Sequence, residues 1–429
     1  MKPAGRLQAA IEILSEIVER HRPASQALAD WGKAHRFAGS GDRAAIGNLV
    51  YDALRHRASI AWRMDGDTPR SLALGVAVYL WGETAQELTQ SFVDDRHAPE
   101  PLSDAEIARL EKSDLSDAPS WVQADVPEWL EEPFAENFDE DFIVEGQALA
   151  LRPPVDFRVN TLKADRDKVE KALKRYKLEP TPLAKTGLRL APSEGPSRVP
   201  NIQPEAAYQK GWIEVQDEGS QLCSALVFAR PGEQVLDYCA GAGGKTLALA
   251  ARMENKGQIF AYDSDRTRLA PIYERLKRAG TRNVQVRGPG DDLDDLEQKM
   301  DRVVVDAPCS GSGVWRRRPD AKWRLTPEAL EKRFAEQRQV LGEASRFVRP
   351  GGYLCYITCS VLAQENEAQV YGFLEENEGF ELLSAGEVWE DLYAHSDLKP
   401  WSSDECTVTL TPASTGTDGF FFAVLGRES

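Results

Sequence analysis

The sequence predicts a doubly wound parallel α/β domain over residues 206–429, preceded by a small α+β module over residues 141–205 and an all-helical domain over residues 1–140. Three observations lead there. Short apolar segments at residues 234–237, 258–263 and 302–306 each end in a carboxylate, Asp237, Asp263 or Asp306, and alternate with amphipathic helical stretches, the pattern of a sheet that binds ligands at its C-terminal strand edges. Leu7, Ile11, Leu14 and Val18, then Ile46, Val50 and Leu54, recur at helical spacing in the first 95 residues. Between these regions the composition turns acidic and Pro-rich, which marks a boundary.

A chain of 429 residues exceeds one ordinary core. Its longest apolar run, residues 72–81, is far short of the roughly 20 residues a membrane helix needs, and the N-terminus lacks the basic-then-apolar order of a signal peptide. A cytoplasmic monomer that does not engage membranes is the expectation. Residues 101–150 hold fourteen Asp or Glu against Arg109 and Lys112, and so carry most of the net charge of −17; they read as a solvated, partly disordered connector. The residues after it alternate as a strand at 155–160, a helix former at 165–176 and a strand near 188–190. Thr326 and Pro327 read as N-cap and first residue of a helix that runs to Phe347 and stops at Pro350-Gly351-Gly352, with a strand following at residues 353–358.

Three motifs carry chemistry. The first, DYCAGAGGKT at residues 237–246, lies between a strand and a helix, where glycines let the backbone approach a nucleotide-like ligand. A triphosphate loop would need Gly at position 239, which is Cys. Asp263, at the end of the next strand, is placed to accept ribose hydroxyls, as well as to cap the following helix. The second is DAPCSGSG at residues 306–313, where Cys309 sits in a Pro/Gly-rich loop that suits a reactive thiol better than a packed one; Cys223, Cys355 and Cys406 read as small hydrophobes. The third is Thr358-Cys359-Ser360 at the end of a later strand, and neighbouring strands would bring Cys309 and Cys359 to one cleft. No CxxC pair occurs, so no metal site is expected. After Cys309, residues 315–324 interleave Arg316, Arg317, Arg318, Lys322 and Arg324 with two tryptophans, a composition that grips phosphate and stacks bases and therefore reads as an RNA contact.

In type, order and spacing these motifs resemble the Sun/RsmB family of RNA 5-methylcytosine methyltransferases, and the resemblance covers nearly the whole chain. Residues 1–140 are similar to that family's NusB-like RNA-binding extension, residues 157–163 to its small RRM-like module, and residues 216–220 and 417–421 to its flanking signatures. The resemblance implies a Rossmann-like catalytic domain that uses S-adenosyl-L-methionine to methylate cytosine C5, with 16S ribosomal RNA as the partner. It implies Cys359 as nucleophile at cytosine C6, Cys309 as the residue assisting release, and Asp306 beside the base. Cofactor contacts follow at Cys239, Ala240, Gly241, Ala242, Gly243, Gly244, Lys245, Asp263 and Asp306, with Asp291 on the adenine side. The first motif departs from the family in lacking a proline before its glycine pair, and residues 286–292 are offset around Asp291.

The chemistry matches the residues. Cytosine C5 becomes nucleophilic only after a thiolate adds to C6, and the target base must be unpaired or flipped. A DNA cytosine-C5 methyltransferase would take its Pro-Cys thiol as nucleophile and leave Cys359 unexplained, whereas an amino-group methyltransferase would show a Pro-Pro-aromatic sequence after Asp306. A transfer-RNA target and a non-catalytic ribosome-assembly factor are the remaining alternatives; retention of both cysteines speaks against the latter.

Overall fold

Leu7, Ile13, Leu14 and Ile17 line one side of the helix Pro3–Val18 and are buried with Ile46, Val50 and Leu54 of the helix Ser40–Arg55, so the apolar spacing becomes a helical core. In this computed structural model, which describes residues 1–429 except Asp94, Lys112, Ser113 and Ser403, that core belongs to a unit comprising Met1–Pro153, Pro192–Pro200 and Trp315–Leu325. The boundary expected at residue 140 therefore falls inside the helical unit. Its three segments are tied by hydrogen bonds. Arg152 pairs with Asp52 and donates to the carbonyls of Ser193 and Gly195, while Asn48 donates to those of Gly195 and Ser197.

The acidic segment is not a disordered connector. Ser103 and Glu106 form a capping box on the helix Asp104–Leu110, and the helices Glu131–Phe138 and Phe142–Ala150 follow; Lys112 and Ser113 lie outside the described residues. Phe134, Phe138 and Phe142 are buried together, with Phe134 centred 5.7 Å from Phe138 and 6.1 Å from Phe142. Glu132, Glu136, Asp139, Glu140 and Asp141 are exposed while these rings hold the inner face.

Residues 315–324 also differ from expectation. Trp315 is buried and stacked on Phe134 at 5.7 Å. Lys322, 1% exposed, donates to the carbonyls of Arg55 and Asp125, and Trp323 Nε1 donates to Leu54 O. Leu54 and Arg55 are the last residues of the helix Ser40–Arg55, whose terminal carbonyls lack partners within the helix. The segment therefore caps that helix. Lys322, and Arg316 at 4% exposure, do not face RNA; Arg318 and Arg324 remain exposed and Arg317 half-buried.

The second unit, Pro154–Ala191, Asn201–Val314 and Thr326–Ser429, holds two sheets. The smaller is antiparallel and four-stranded, in the order β2-β3-β1-β4, with β1 Val155–Val159, β2 Glu179–Pro180, β3 Gly187–Leu190 and β4 Ile213–Val215. The larger has eight strands, β5 Gln234–Asp237, β6 Gln258–Tyr262, β7 Val284–Arg287, β8 Met300–Asp306, β9 Val348–Thr358, β10 Phe380–Leu383, β11 Val408–Leu410 and β12 Phe420–Arg427. Its order is β10-β12-β9-β8-β5-β6-β7, with β11 beside β12. Pairing is parallel from β7 to β9 and antiparallel at β12. Strand order reverses at β5, which places a ligand crevice at its C-terminal end.

Thr326 caps the helix Pro327–Ser345 through the Ala329 N–H, as its sequence implies. The helix stops earlier than expected because Val348 is already paired with Met300; β9 then runs through an irregularity before Tyr353 resumes pairing with Arg302.

The capping role of Lys322 predicts that Lys322→Met lowers the stability of the protein by about 1–3 kcal/mol, the cost of leaving buried carbonyls unpaired. Chemical denaturation reads this.

Candidate active site

The glycine-rich turn links β5 to the helix Gly244–Arg252. Gly243 has φ +80°, and a Cβ there would come within 2.6 Å of Ile272, so the turn tolerates no larger residue at this point. Asp263 secures the turn from the end of β6: its Oδ2 accepts the Gly241 N–H at 2.9 Å and its Oδ1 the Asp265 N–H at 2.8 Å. Capping of the next helix falls instead to Asp265, which accepts the N–H groups of Thr267 and Arg268.

A cavity of about 350 Å3 opens here, lined by Ser220, Asp237, Cys239 to Ala242, Gly244, Lys245, Arg268 and Asp306. Its size is within the roughly 300–1,000 Å3 of small-molecule sites. Asp237 Oδ2 accepts the Thr246 hydroxyl at 2.6 Å, while its buried Oδ1 has no partner. Burial foremost, with Asp306 and Asp263 nearby, lifts the Asp237 carboxyl to about 7. Asp291 does not line this cavity. It is exposed and closes a local turn by accepting the Gly288 N–H at 2.6 Å. A larger cavity of about 850 Å3 lies in the helical unit, lined in part by Trp31, His35 and Phe37, but no cysteine borders it.

Lys245 leaves the turn and reaches Asp306 at the end of β8, Nζ to Oδ2 2.7 Å. Burial disfavours the ammonium, yet Asp306, Cys223 and Cys359 outweigh it and raise the lysine pKa. Asp306 is 35% exposed, so the pair sits at the cavity edge.

Beyond Asp306 the two expected cysteines meet, with Cys309 Sγ 3.3 Å from Cys359 Sγ. Backbone bonds align their loops: Ala307 N–H donates to Ile357 O, Gly313 N–H to Cys359 O and Gly419 N–H to Gly313 O. A Cβ on Gly313 would lie 2.1 Å from Gly419 O, so these two backbones touch where only glycine fits. The contact with Cys359, burial, and the charges of Cys359 and Glu365 hold the Cys309 thiol well above the usual range. Cys309 is therefore held in its protonated form against Cys359. Cys223 and Cys355 are fully buried and pushed up to about 12 by burial, consistent with inert packing, whereas Cys406 is only half-buried.

Residues that sequence reasoning missed surround this pair. Gln337 lies mid-helix, where nothing marks it, and Glu365 and Asn366 follow Cys359 by six and seven positions as an ordinary helix-start pair. Their contacts are described below. Among the described residues, no group of three or more His, Cys, Asp or Glu is arranged to hold a metal ion, and no helix is long and apolar enough to cross a membrane.

Comparison with known proteins matches residues 225–426 to the family model of the 16S rRNA methyltransferase RsmB/F and residues 126–194 to the ferredoxin-like domain of RsmF/B-like methyltransferases. Ribosomal RNA small subunit methyltransferase B of Sodalis glossinidius (strain morsitans) is 32% identical over 338 residues, 78% of this chain and 70% of that protein. The chain belongs to the RsmB/F methyltransferase family. The enzyme of the same name from Enterobacter sp. (strain 638) is 33% identical over 229 residues, 50% of its length, so these relatives are matched over 50% to 70% of their length. The crystal structure of PH0851 superposes with TM-score 0.74 and 26% identity over 100% of both chains. A methyltransferase homolog from Pyrococcus horikoshii gives TM-score 0.59 and 26% identity over 72% of this chain and 97% of its own. The doubly wound fold is thus that of RsmB/F-type methyltransferases, with the ferredoxin-like module ahead of it.

Two predictions follow from the geometry. Iodoacetamide at neutral pH is expected to alkylate Cys359 before Cys309 and to spare Cys223 and Cys355 in the native protein, as read by peptide mass spectrometry. The second concerns Asp237, whose folded pKa of about 7 exceeds its ordinary 3.8. The folded state binds this proton more tightly, so its stabilisation is complete below the ordinary value and is lost as pH rises to about 7. Asp237→Asn should therefore gain on wild type across that window by a few kcal/mol, at ~1.4 kcal/mol per unit, measured by urea denaturation at pH 5 and 7.5.

Proposed function

We propose that this chain is an S-adenosylmethionine-dependent RNA cytosine-C5 methyltransferase acting on 16S ribosomal RNA through a covalent Cys359 adduct. The observation that carries the reading is the pair of thiols 3.3 Å apart beside the Lys245–Asp306 ion pair and the glycine-lined cavity. Family membership supports the reaction class, and the named relatives are ribosomal RNA small subunit methyltransferases.

The cavity fits the cofactor in size, backbone exposure and charge. Its glycine turn offers close backbone approach, the Asp237 Oδ1 is a buried acceptor awaiting a donor, and Asp263 stands behind the turn. Residues Cys239 to Lys245, with Asp237, Asp263 and Asp306, would hold it. When bound, S-adenosylmethionine would supply an electrophilic methyl group.

Cys359 Sγ adds to C6 of the cytosine, and the electron pair of the C5–C6 double bond becomes available at C5. Asp306, fixed by Lys245, is an acceptor there, suited to the exocyclic amino group or a protonated N3 of the ring. Lys245 holds the Asp306 carboxylate in place, Nζ to Oδ2 2.7 Å. Once C5 carries the methyl group, its proton must leave to a base; that electron pair restores the C5–C6 bond and expels Cys359 as thiolate. Cys309, in contact with Cys359, assists this release. Phosphate contacts are assigned to Arg317, Arg318 and Arg324, with the helical unit as the RNA-binding extension.

Incubation with S-adenosylmethionine and small-subunit RNA is expected to yield 5-methylcytosine. Cys359→Ala should abolish product, and Cys309→Ala should accumulate a protein-RNA adduct that survives denaturing electrophoresis. Product formation by the Cys359→Ala variant would overturn the assignment. Activity confined to transfer RNA would replace the ribosomal substrate.

A further inference from the structure

Each of the two reactive cysteines is held by a different member of one buried dipeptide. Glu365 has no solvent exposure, and Asn366 has 1%. The Glu365 carboxylate accepts both donors of Ser310, the N–H at Oε1 (2.7 Å) and the hydroxyl at Oε2. Oε1 also accepts Gln337 Nε2 at 3.0 Å, and the same Nε2 donates to Pro308 O at 3.0 Å. The residues on both sides of Cys309 are thereby fixed. Asn366 does the equivalent for Cys359: its Oδ1 accepts the Thr358 hydroxyl at 2.6 Å and its Nδ2 donates to Ser360 O at 3.1 Å. The Tyr356 hydroxyl, donating to Glu365 O at 2.7 Å, anchors the dipeptide to β9.

Burying a carboxylate costs several kcal/mol unless its oxygens are saturated by donors. A cheaper anchor for one loop would be a neutral side chain. What a carboxylate uniquely offers Ser310 is two acceptor oxygens side by side for an N–H and an O–H, with capacity left for Gln337.

We propose that Glu365 and Asn366 are positioning residues with separate duties, Glu365 setting the Cys309 sulfur for release of the adduct and Asn366 setting the Cys359 sulfur for addition to the base. This rests on the two-cysteine chemistry described above. Addition forms the Sγ–C6 bond and needs Cys359 aimed at the ring. Release breaks that bond as the C5 proton departs, and needs Cys309 held beside it. A displacement on the order of 1 Å in such a group costs up to about 100-fold in rate, while the rest of the fold is untouched. The Glu365 charge also contributes to keeping the proton on Cys309.

The test is single-turnover rapid quench of the full-length protein with S-adenosylmethionine and small-subunit RNA, separating denaturant-stable adduct from released methylated RNA. For Glu365→Gln we expect adduct to form within about threefold of the wild-type rate but to persist roughly tenfold longer or more. Ser310→Ala, which removes only the hydroxyl and leaves the carboxylate in place, should show the same effect more weakly and guards against misfolding of the Glu365 variant. Asn366→Asp, which loses the donor to Ser360, should slow adduct formation about tenfold or more without accumulation. The proposal is overturned if Glu365→Gln slows formation and release in parallel, as a merely structural role would, or if its adduct decays at the wild-type rate while that of Cys309→Ala persists. Failure of Cys309→Ala itself to accumulate adduct would bring down the underlying two-cysteine reading instead.

Discussion

The parallel pairing of β8 with β9 is the constraint on which the site depends. It sets Asp306 opposite Ile357, so the loop leaving one strand and the turn leaving the other emerge side by side at the same edge. Side chains alternate faces along a strand, and a slip of one residue would turn the set over. The register is locked beyond the strand ends as well, through Ala307 to Ile357 and Gly313 to Cys359, and by the contact of Gly313 with Gly419. That last contact brings β12 into the same arrangement. Three strands thus fix one sulfur-sulfur distance, and both sulfurs of the pair lie just beyond strand ends.

Much of this was legible because its signals are local. An apolar run ending in Asp reads the same in sequence as in the sheet, and Asp237, Asp263 and Asp306 all stand at the C-terminal edge where that pattern places them. The meeting of Cys309 and Cys359 followed from strand adjacency. What was not legible depends on long-range partners. The residues Trp315 to Arg324 have the composition of a phosphate grip, yet Lys322 and Trp323 serve as donors for the carbonyl end of a helix 267 and 269 residues earlier, and Trp315 packs on Phe134. Composition cannot distinguish the two uses, because both employ cations and indole rings. In the acidic segment, charge counts masked Phe134, Phe138 and Phe142, whose four-residue spacing was the better signal. Glu365 and Asn366 were invisible for a related reason: a polar pair at a helix start has an ordinary local explanation.

Two chemically identical thiols in van der Waals contact need an external field if they are to play different parts. Burial alone supplies no asymmetry, since it lifts Cys223 and Cys355 alike. Glu365 supplies such a field on one side: it is among the charges that hold the Cys309 proton, while the Lys245 ammonium is held on Asp306 at the cavity. Because Glu365 is fully buried, its charge acts on Cys309 with an effective dielectric well below that of bulk solvent.

The ion pair between Lys245 and Asp306 joins two further functions. Lys245 follows the glycine-rich turn and Asp306 ends the strand from which the Cys309 loop departs, so one contact of 2.7 Å couples the cavity wall to that loop. A ligand that ordered the turn would order Lys245 with it, and through Lys245 the Asp306 carboxylate. The cost of burying the lysine is offset only while Asp306 stays in place, so neither residue can move alone. Cavity and thiol pair are therefore one mechanical element, and the chemistry proposed for the cysteines requires no separate device to bring cofactor and base into register.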